Sequence, residues 1–482
     1  MPVLSYPAAF ARLVAAAPSR LALVFEGQEV SRGELDAQAN RLARAYADHG
    51  VSPGDRVMIA LPNSVEFIAA TFAVWKLGAV PAPLSARLPE AEQREIVALA
   101  DPRLVLGVEE GTYSERACLP AGFAPSVAIS DAPLPDQTAP HSQVIASGGS
   151  TGRPKLIVDA NPAAFDTDKP HYGIGPDVPV LIPGPLFHTG PFINTREALL
   201  RGGVVILMGR FDPEEAVRLI EAHRVQWVNF VPTMLHRIWR LPDEIKKNAD
   251  LSSLQRVVST GAACADWLMR AWIEWIGPDQ MFEAYGGTER IGGTLISGRE
   301  WLEHPGSVGK PTGGRKVRIV GTEGETLPAG EIGEVFMLPP GGQGSTYSYV
   351  GATAKATGDG WETLGDLGYQ DADGFLYLVD RRTDMIVTGG ENVYPAEVEG
   401  AIDAHPSVHS SAVIGLPDED LGARIHAIIE ADPPVSEEVL RAHLAERLVR
   451  YKIPRSFEFV QEPLRDDAGK LRRSQLRDQR IS

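Results

Sequence analysis

Between Val204 and Val231 the chain reads VVILMGRFDPEEAVRLIEAHRVQWVNFV. The apolar run Val204 to Met208 predicts a strand, the spacing from Glu214 to His223 a helix, and Val225 to Val231 a second strand. Strand, crossover helix and strand in that order describe a parallel sheet. The same alternation is legible upstream. Ser31 and Glu34 have capping-box spacing, and Leu35, Ala39, Leu42 and Tyr46 then place an apolar stripe on a helix that stops at Gly50. A strand over Val57 to Leu61, a helix over Val65 to Leu77 and a strand over Ala79 to Leu84 follow. The class expected is α/β.

From Gly306 onward the pattern changes to short β-like runs at Val317 to Val320, Gly333 to Met337 and Phe375 to Val379, separated by Gly and Pro, as in an antiparallel or barrel-like region. Near Arg381 a third region begins. A helix ending near Ala404, strands at Ser411 to Gly415 and Ile425 to Ile429, a helix opened by Ser436 and a strand at Ser456 to Val460 make a small α+β unit. The organisation expected is therefore 1–380, a hinge at 381–384, and 385–482. There is no internal repeat and no low-complexity tract.

A chain of 482 residues, 44% hydrophobic, exceeds what one ordinary core holds. With 46 basic and 63 acidic side chains the formal charge is −17, so the overall field repels polyanions, and any phosphate site must be built locally. Nucleic acid is not an expected partner. Cys118 and Cys264 lack metal or redox spacing. The start, MPVLSYPAAFARLV, has no basic leader, and apolar stretches such as Phe67 to Trp75 are too short to span a bilayer, so no membrane insertion and a cytoplasmic location are expected.

The segment richest in chemistry is Ser147-Gly148-Gly149-Ser150-Thr151-Gly152-Arg153-Pro154-Lys155, after the strand-like Val144 to Ala146. Its glycines permit tight backbone, its hydroxyls can donate to phosphate oxygens, and Lys155 adds a point charge. Composition alone favours an ordinary solvated loop. Gly148 to Gly152 also fits G-x-S-x-G, the nucleophile elbow of a serine hydrolase; Pro154 is tolerated in the first turn of the helix such an elbow needs, so that reading stays open locally. A Walker loop is excluded, since no Gly-Lys-Ser or Gly-Lys-Thr stands in the required order.

Together with later segments, this loop resembles the phosphate-binding signature of the adenylate-forming superfamily: acyl-CoA synthetases, luciferases and peptide-synthetase adenylation domains. Tyr285-Gly286-Gly287-Thr288-Glu289 matches Y-G-x-T-E, and Leu364-Gly365-Asp366 stands where T-G-D is usual. Arg381 through Glu399 resembles the segment ending G-G-E-N-V-Y-P-x-E-V-E, and Gly469-Lys470 with Arg472 resembles the terminal G-K-x-x-R. The resemblance runs from about residue 25 to the chain's end. It implies a large domain of parallel α/β subdomains with a barrel-like subdomain, and a small mobile C-terminal α+β domain.

The resemblance also implies an activity. A carboxylic acid reacts with ATP to give an acyl-adenylate and pyrophosphate, and the acyl group then passes to the thiol of coenzyme A; a stand-alone adenylating enzyme serving another acceptor protein is the alternative. Ser147, Ser150, Thr151 and Lys155 would hold the phosphates, Thr288 the α-phosphate, and Glu289 with Thr151 the magnesium ion, a hard cation suited to oxygen ligands. Tyr285 and Gly286 would flank adenine, with Gly261, Ala262 and Ala263 lining the purine site. Asp366 would accept from both ribose hydroxyls and Arg381 would make a second ribose contact. Lys470 would be the catalytic lysine, and Gly389-Gly390 would admit the pantetheine arm after the small domain rotates. Taken singly, each of these residues would be a turn, a surface charge or a hairpin; their order along the chain gives them meaning. Thr383 stands where the family's hinge carries Asp or Lys, which leaves room for weak thioesterification. A homodimer is compatible with this reading.

Phe187-His188-Thr189-Gly190 resembles the family segment that gates the acyl pocket. By itself His188 would be a satisfied core histidine. Pro191 to Glu197, Phe230 to Met234 and Glu283 to Gly287 would complete the pocket. The neighbourhood Ile182 to His188 is similar to ligases for bile acids and related bulky acids, ranking a polycyclic or terpenoid-like acid first, aryl and fatty acids next, and amino acids last.

Overall fold

The computed structural model describes residues 3–148, 154–166, 173–381, 383–432, 434–466 and 469–481, with the backbone alone at 148 and 381. Ser150 and Thr151, expected at the phosphates, lie outside the described residues.

The Val204–Val231 stretch folds as its pattern requires. Strand Val204–Leu207, helix Pro213–Ala222 and strand Trp227–Phe230 follow one another, and both strands pair in parallel with Pro179–Ile182 between them. Asp212 caps the helix by accepting from the Glu215 N–H at 2.9 Å, with Pro213 in the first turn and Glu214 and Glu215 at its positive end. The expected capping box is also present: Ser31 and Glu34 exchange hydrogen bonds of 2.8 and 3.2 Å at the start of helix Arg32–Asp48.

These strands belong to a sheet of 13. Its parallel part runs through Leu21–Phe25, Val204–Leu207, Pro179–Ile182, Trp227–Phe230, Arg256–Ser259 and Met281–Gly286. At Gly293–Ser297 the pairing turns antiparallel and continues to Lys316–Val320. That antiparallel end faces a second sheet, made of Val144–Gly148, Pro154–Asp159 and Tyr347–Val350, across a core including Ile157, Ile291, Val335, Met337 and Leu376. The antiparallel region expected after Gly306 thus also draws in two strands from before it, Val144–Gly148 and Pro154–Asp159. A separate four-stranded parallel sheet carries Arg56–Ile59 and Val80–Pro83.

The parallel strands present two faces because successive side chains alternate. Val228, Phe230 and Val257 enter a core with Met269 and Trp272, whereas Trp227 and Val258 enter the opposite core with Phe192 and Ala198. Helix Thr189–Leu200 lies on that second side, and a slot opens between it and the sheet.

The last part of the chain pairs Val408–Asp418 with Gly422–Ala431 antiparallel and Gly422–Ala431 with Ser456–Val460 in parallel, with helices Pro395–Asp403, Glu437–Ala445 and Arg473–Ile481. Its core is its own, centred on Val398, Val413, Ile429 and Leu440. Gly389 and Gly390 form the two-residue turn between Ile386–Thr388 and Glu391–Val393, with φ of +58° and +85°. Both values lie in the left-handed region such a hairpin requires, so glycine is explained by the turn itself. No helix among the described residues is long and apolar enough to cross a membrane.

Candidate active site

In an open parallel sheet the loops that leave the carboxyl ends of the strands gather on one edge, and ligands bind there. Four such loops carry most of the residues singled out above. Pro183 to His188 follows Pro179–Ile182, Val231 follows Trp227–Phe230, Thr260 to Ala263 follows Arg256–Ser259, and Gly287 to Glu289 follows Met281–Gly286. They line one continuous cleft of about 3020 Å³, which the C-terminal unit closes from the far side with Lys470. A drug-sized ligand needs roughly 300–1,000 Å³, so the cleft has room for more than one reactant.

At its nucleotide end Tyr285 donates its hydroxyl to Asp366 Oδ2 at 2.6 Å. Asp366 sits opposite Arg381 in the antiparallel register of Glu362–Gln370 with Leu376–Arg381, so backbone pairing alone brings the two expected ribose residues together. Gly261, with φ +91°, and the exposed Ala262 and Ala263 form the neighbouring turn. Gly286 ends its strand; a Cβ at Gly287 would meet Leu364 Cδ1 at 2.6 Å, so a larger residue there would displace the leucine's tip. The leucine that replaces the family's usual threonine thus packs directly over a glycine.

Thr288 accepts from the Thr189 hydroxyl at 3.1 Å, which ties the Y-G-x-T-E motif to the first residue of the slot helix. Glu289 is buried. Its Oε1 accepts from Tyr349 Oη at 2.6 Å and from Lys155 Nζ at 3.3 Å, and that ammonium also bonds Tyr349 Oη at 2.8 Å. Lys155 therefore stands beside the acid. The tyrosine hydroxyl's pKa is raised by burial and by the adjoining carboxylate. Sequence reading missed Tyr349; the alternation Tyr347-Ser348-Tyr349 was a strand signal, but its pairing with Ile157 is not local. The arrangement suits a divalent cation. One carboxylate oxygen is fixed by two donors, and the other, Oε2, lies 3.0 Å from where a Gly287 Cβ would be, so glycine keeps it approachable. Thr151, the second expected ligand, is outside the described residues.

Lys155 and Ser147 face each other in the register of Val144–Gly148 with Pro154–Asp159. The Gly/Ser loop therefore joins two antiparallel strands. A nucleophile elbow needs a strand followed by a helix, so the hydrolase reading falls.

His188 is not a satisfied core residue. Its Nε2 is buried with no hydrogen-bond partner among the described residues, and the ring packs against Phe187 at 4.4 Å. Burial, and then the charge of Lys470, push its pKa down to about 3, so the imidazole is neutral at physiological pH. Lys470 lines the same cleft.

The Lys470 backbone is anchored by Asp466, whose Oδ1 accepts its N–H at 2.9 Å. The preceding Gly469, with φ +73°, lies flush on the large domain: a Cβ would fall 2.6 Å from Thr233 Oγ1 and 3.1 Å from Val231 Cγ2. A latch holds the units in this arrangement. Arg240 donates through Nη2 to the carbonyls of Asp403 and His405 at 3.3 and 3.0 Å, where helix Pro395–Asp403 ends and its dipole favours a cation. Its Nε donates to His236 Nε2 at 3.0 Å, which leaves Nδ1–H of that ring to donate to His409 O at 3.1 Å. Gly389 and Gly390 do not line the cleft in this arrangement.

The chain matches the AMP-binding enzyme model over residues 10–343 and the AMP-binding enzyme C-terminal domain model over 397–470. It belongs to the AMP-binding enzyme family. Within that family it is 34% identical to a feruloyl-CoA synthase from Amycolatopsis sp, with 98% of each chain covered. It is 30% identical to a 2-succinylbenzoate–CoA ligase from Bacillus subtilis, with 96% of each covered. Among solved structures, the o-succinylbenzoate CoA synthetase of Bacillus subtilis with its acyl-adenylate intermediate superposes at a TM-score of 0.83, with 28% identity and 99% of each chain covered. The ATP-bound MatB of Rhodopseudomonas palustris does so at 0.83, with 26% identity. The adenylate-forming fold expected from the motifs is thus the fold of this AMP-binding enzyme.

Two further features of the AMP-binding enzyme's site lay beyond sequence reading. Glu283 is buried beneath the Gly261 turn, and burial raises its pKa to about 8 against a hydrogen bond from the Cys264 backbone. The slot is also more charged than its composition announced. Arg196 and Arg201 both pair with Glu197, at 2.8 and 3.3 Å, and Arg290 pairs with Asp159 at 2.8 Å.

Proposed function

We propose that the protein is an ATP-dependent acyl-CoA synthetase that activates a ring-bearing carboxylic acid as its adenylate and transfers the acyl group to coenzyme A. The observation that carries this reading is that Lys470, on the small unit, lines the same cleft as His188, Tyr285, Thr288, Glu289 and Asp366 of the large one.

The roles follow from what each group can do. Tyr285 offers a flat face for adenine, and Asp366 has two acceptor oxygens for the ribose hydroxyls. The Thr288 hydroxyl and Lys470 ammonium stabilise charge that grows on the phosphate oxygens as the acid's carboxylate attacks phosphorus in line and pyrophosphate leaves. Lys470 also draws two anions together, whose repulsion would otherwise oppose the encounter. Magnesium, held by Glu289, would supply further neutralisation of phosphate charge. His188, being neutral, closes the slot without adding charge beside the reacting carboxylate. In the second half-reaction the unit 385–482 would turn about 381–384, withdrawing Lys470 and bringing Gly389-Gly390 to the thiol.

Among the acids ranked from sequence, the slot supports an aryl acid ahead of the polycyclic one. Its walls include the sheet residues Trp227, Val258 and Ala284 and, from the slot helix, Gly190. The apolar sheet wall suits the face of an aromatic ring laid against it. The relatives named for ferulate and 2-succinylbenzoate also act on ring-bearing acids by those names.

Pyrophosphate release across a panel of acids, with and without coenzyme A and with product mass measured, tests both steps. Acyl-CoA is the expected product. Release that is unaffected by coenzyme A, with free adenylate accumulating, would favour the stand-alone adenylating enzyme, and no release with any acid would refute the proposal.

A further inference from the structure

The far end of the slot holds an arginine whose neighbours do not explain it. Arg256 opens strand Arg256–Ser259, four residues before Thr260 at the nucleotide edge, a separation of roughly 13 Å at the rise of a strand. By alternation it shares a face with Val258, toward the slot. The other arginines lining this cavity near it are committed: Arg196 and Arg201 to Glu197, Arg290 to Asp159. Among the described residues Arg256 has no carboxylate partner. Instead its guanidinium carbon lies 4.0 Å from the centre of the Phe282 ring, and Gly173 closes in so tightly that a Cβ there would be 2.6 Å from the same carbon.

A guanidinium held against an aromatic face keeps its N–H donors around its edge, in its own plane. Burial without a partner works against the charge and lowers its pKa. An apolar side chain would pack as well beside Phe282 and Val258 without that cost. What an arginine adds here is a fork of donors for which no described residue supplies an acceptor.

We infer that Arg256 is a specificity-determining residue that recognises an oxygen acceptor, a carboxylate or a phenolic oxygen, at the end of the acid remote from the carboxyl group that is activated. The acceptor lies about 7–13 Å from the reacting carboxylate, the span between the levels of Val258 and Arg256 along the strand as measured from Thr260. Arg256 does not touch the reacting atoms. This inference rests on the reading of the slot as the acyl pocket.

Three acids of one shape test it: cinnamate, 4-hydroxycinnamate and 4-carboxycinnamate. Each is titrated calorimetrically into the full chain with α,β-methylene-ATP present, and each is assayed for pyrophosphate release with ATP, using wild type, Arg256→Met and Arg256→Lys. Wild type is expected to prefer at least one oxygen-bearing acid over cinnamate by about tenfold to a hundredfold, the range for a hydrogen bond to a charged group. In Arg256→Met the ratio should fall to within about threefold of unity, by loss on the oxygen-bearing acid, with the KM for ATP unchanged. A larger gain for the carboxy acid, kept in part by Arg256→Lys, identifies an anion as the ligand; a larger gain for the hydroxy acid, lost in Arg256→Lys, identifies a phenol. A ratio near one in wild type, or one that Arg256→Met leaves unchanged, overturns the inference, and the wild-type ratio decides even if a variant does not fold. Binding selectivity without pyrophosphate release would refute the synthetase reading and spare the subsite, whereas release without selectivity would do the reverse.

Discussion

Replacing Gly469 by alanine separates the two half-reactions. The new methyl group would lie 2.6 Å from Thr233 Oγ1 and 3.1 Å from Val231 Cγ2, below the separation that carbon and oxygen tolerate, and the backbone there has φ +73°. The left-handed backbone costs roughly 1 kcal/mol for a residue with a Cβ; that penalty travels with the small unit and lowers its stability in any orientation. The collision acts differently, because it exists only while Lys470 is delivered to the cleft. Overpacking of this kind costs about 1–3 kcal/mol, and at 1.36 kcal/mol per decade the delivered arrangement becomes roughly fivefold to 150-fold rarer. Exchange of labelled pyrophosphate into ATP, which reports adenylation, should fall by that factor in Gly469→Ala. Conversion of a preformed acyl-adenylate and coenzyme A to the thioester should stay within about twofold of wild type. Adding Thr233→Ala removes the closest atom and should restore most of the exchange. Wild-type exchange in the single variant, or equal losses in both assays, would refute the reasoning.

Other outcomes follow from the same geometry. Lys470→Ala should reduce adenylation by at least a hundredfold while ATP still binds, a result checked by pyrophosphate release and nucleotide calorimetry. Asp366→Ala should weaken ATP binding by about tenfold or more and acid binding by much less, as titration of each ligand would reveal. Glu283 titrates near 8 when folded against 4.5 otherwise, so between those values the folded state holds the extra proton, and stability falls as pH rises through this window. Glu283→Gln, which keeps an acceptor for the Cys264 N–H, should therefore raise Tm at pH 8 by several degrees and leave it nearly unchanged at pH 4.5. An equal shift at both pH values would show that Glu283 is not the group responsible.

Much of this was legible in the chain because the signals are local. The capping box at Ser31, the crossover from Val204 to Val231 and the strand at Ser456–Val460 depend on neighbours within a few residues, and each formed where the pattern put it. The motif residues Tyr285, Asp366, Glu289 and Lys470 were named individually, and they line one cleft: Tyr285 and Glu289 at the end of a parallel strand, Asp366 within an antiparallel one, and Lys470 on the small unit. What escaped depends on pairings distant in sequence. Tyr349 reaches Glu289 only because Tyr347–Val350 adds to the sheet beside Pro154–Asp159, and nothing in either segment announces the other. Glu283 reads as one more acid of a strand until the turn at Gly261 covers it. Arg196, Glu197 and Arg201 sit on a helix that carries scarcely any amphipathic pattern, since almost every residue from Phe192 to Leu200 is buried, so periodicity could not separate the side chains facing the slot from those facing the core.

The latch between Arg240 and the small unit grips main-chain oxygens at Asp403 and His405, with His236 adding that of His409. Such a grip is insensitive to most of the side chains the small unit displays there. Water can take over the vacated carbonyls at once. A fastening of that sort can be undone and remade at every turnover, which suits the proposed pair of reactions, one with Lys470 in the cleft and one without it.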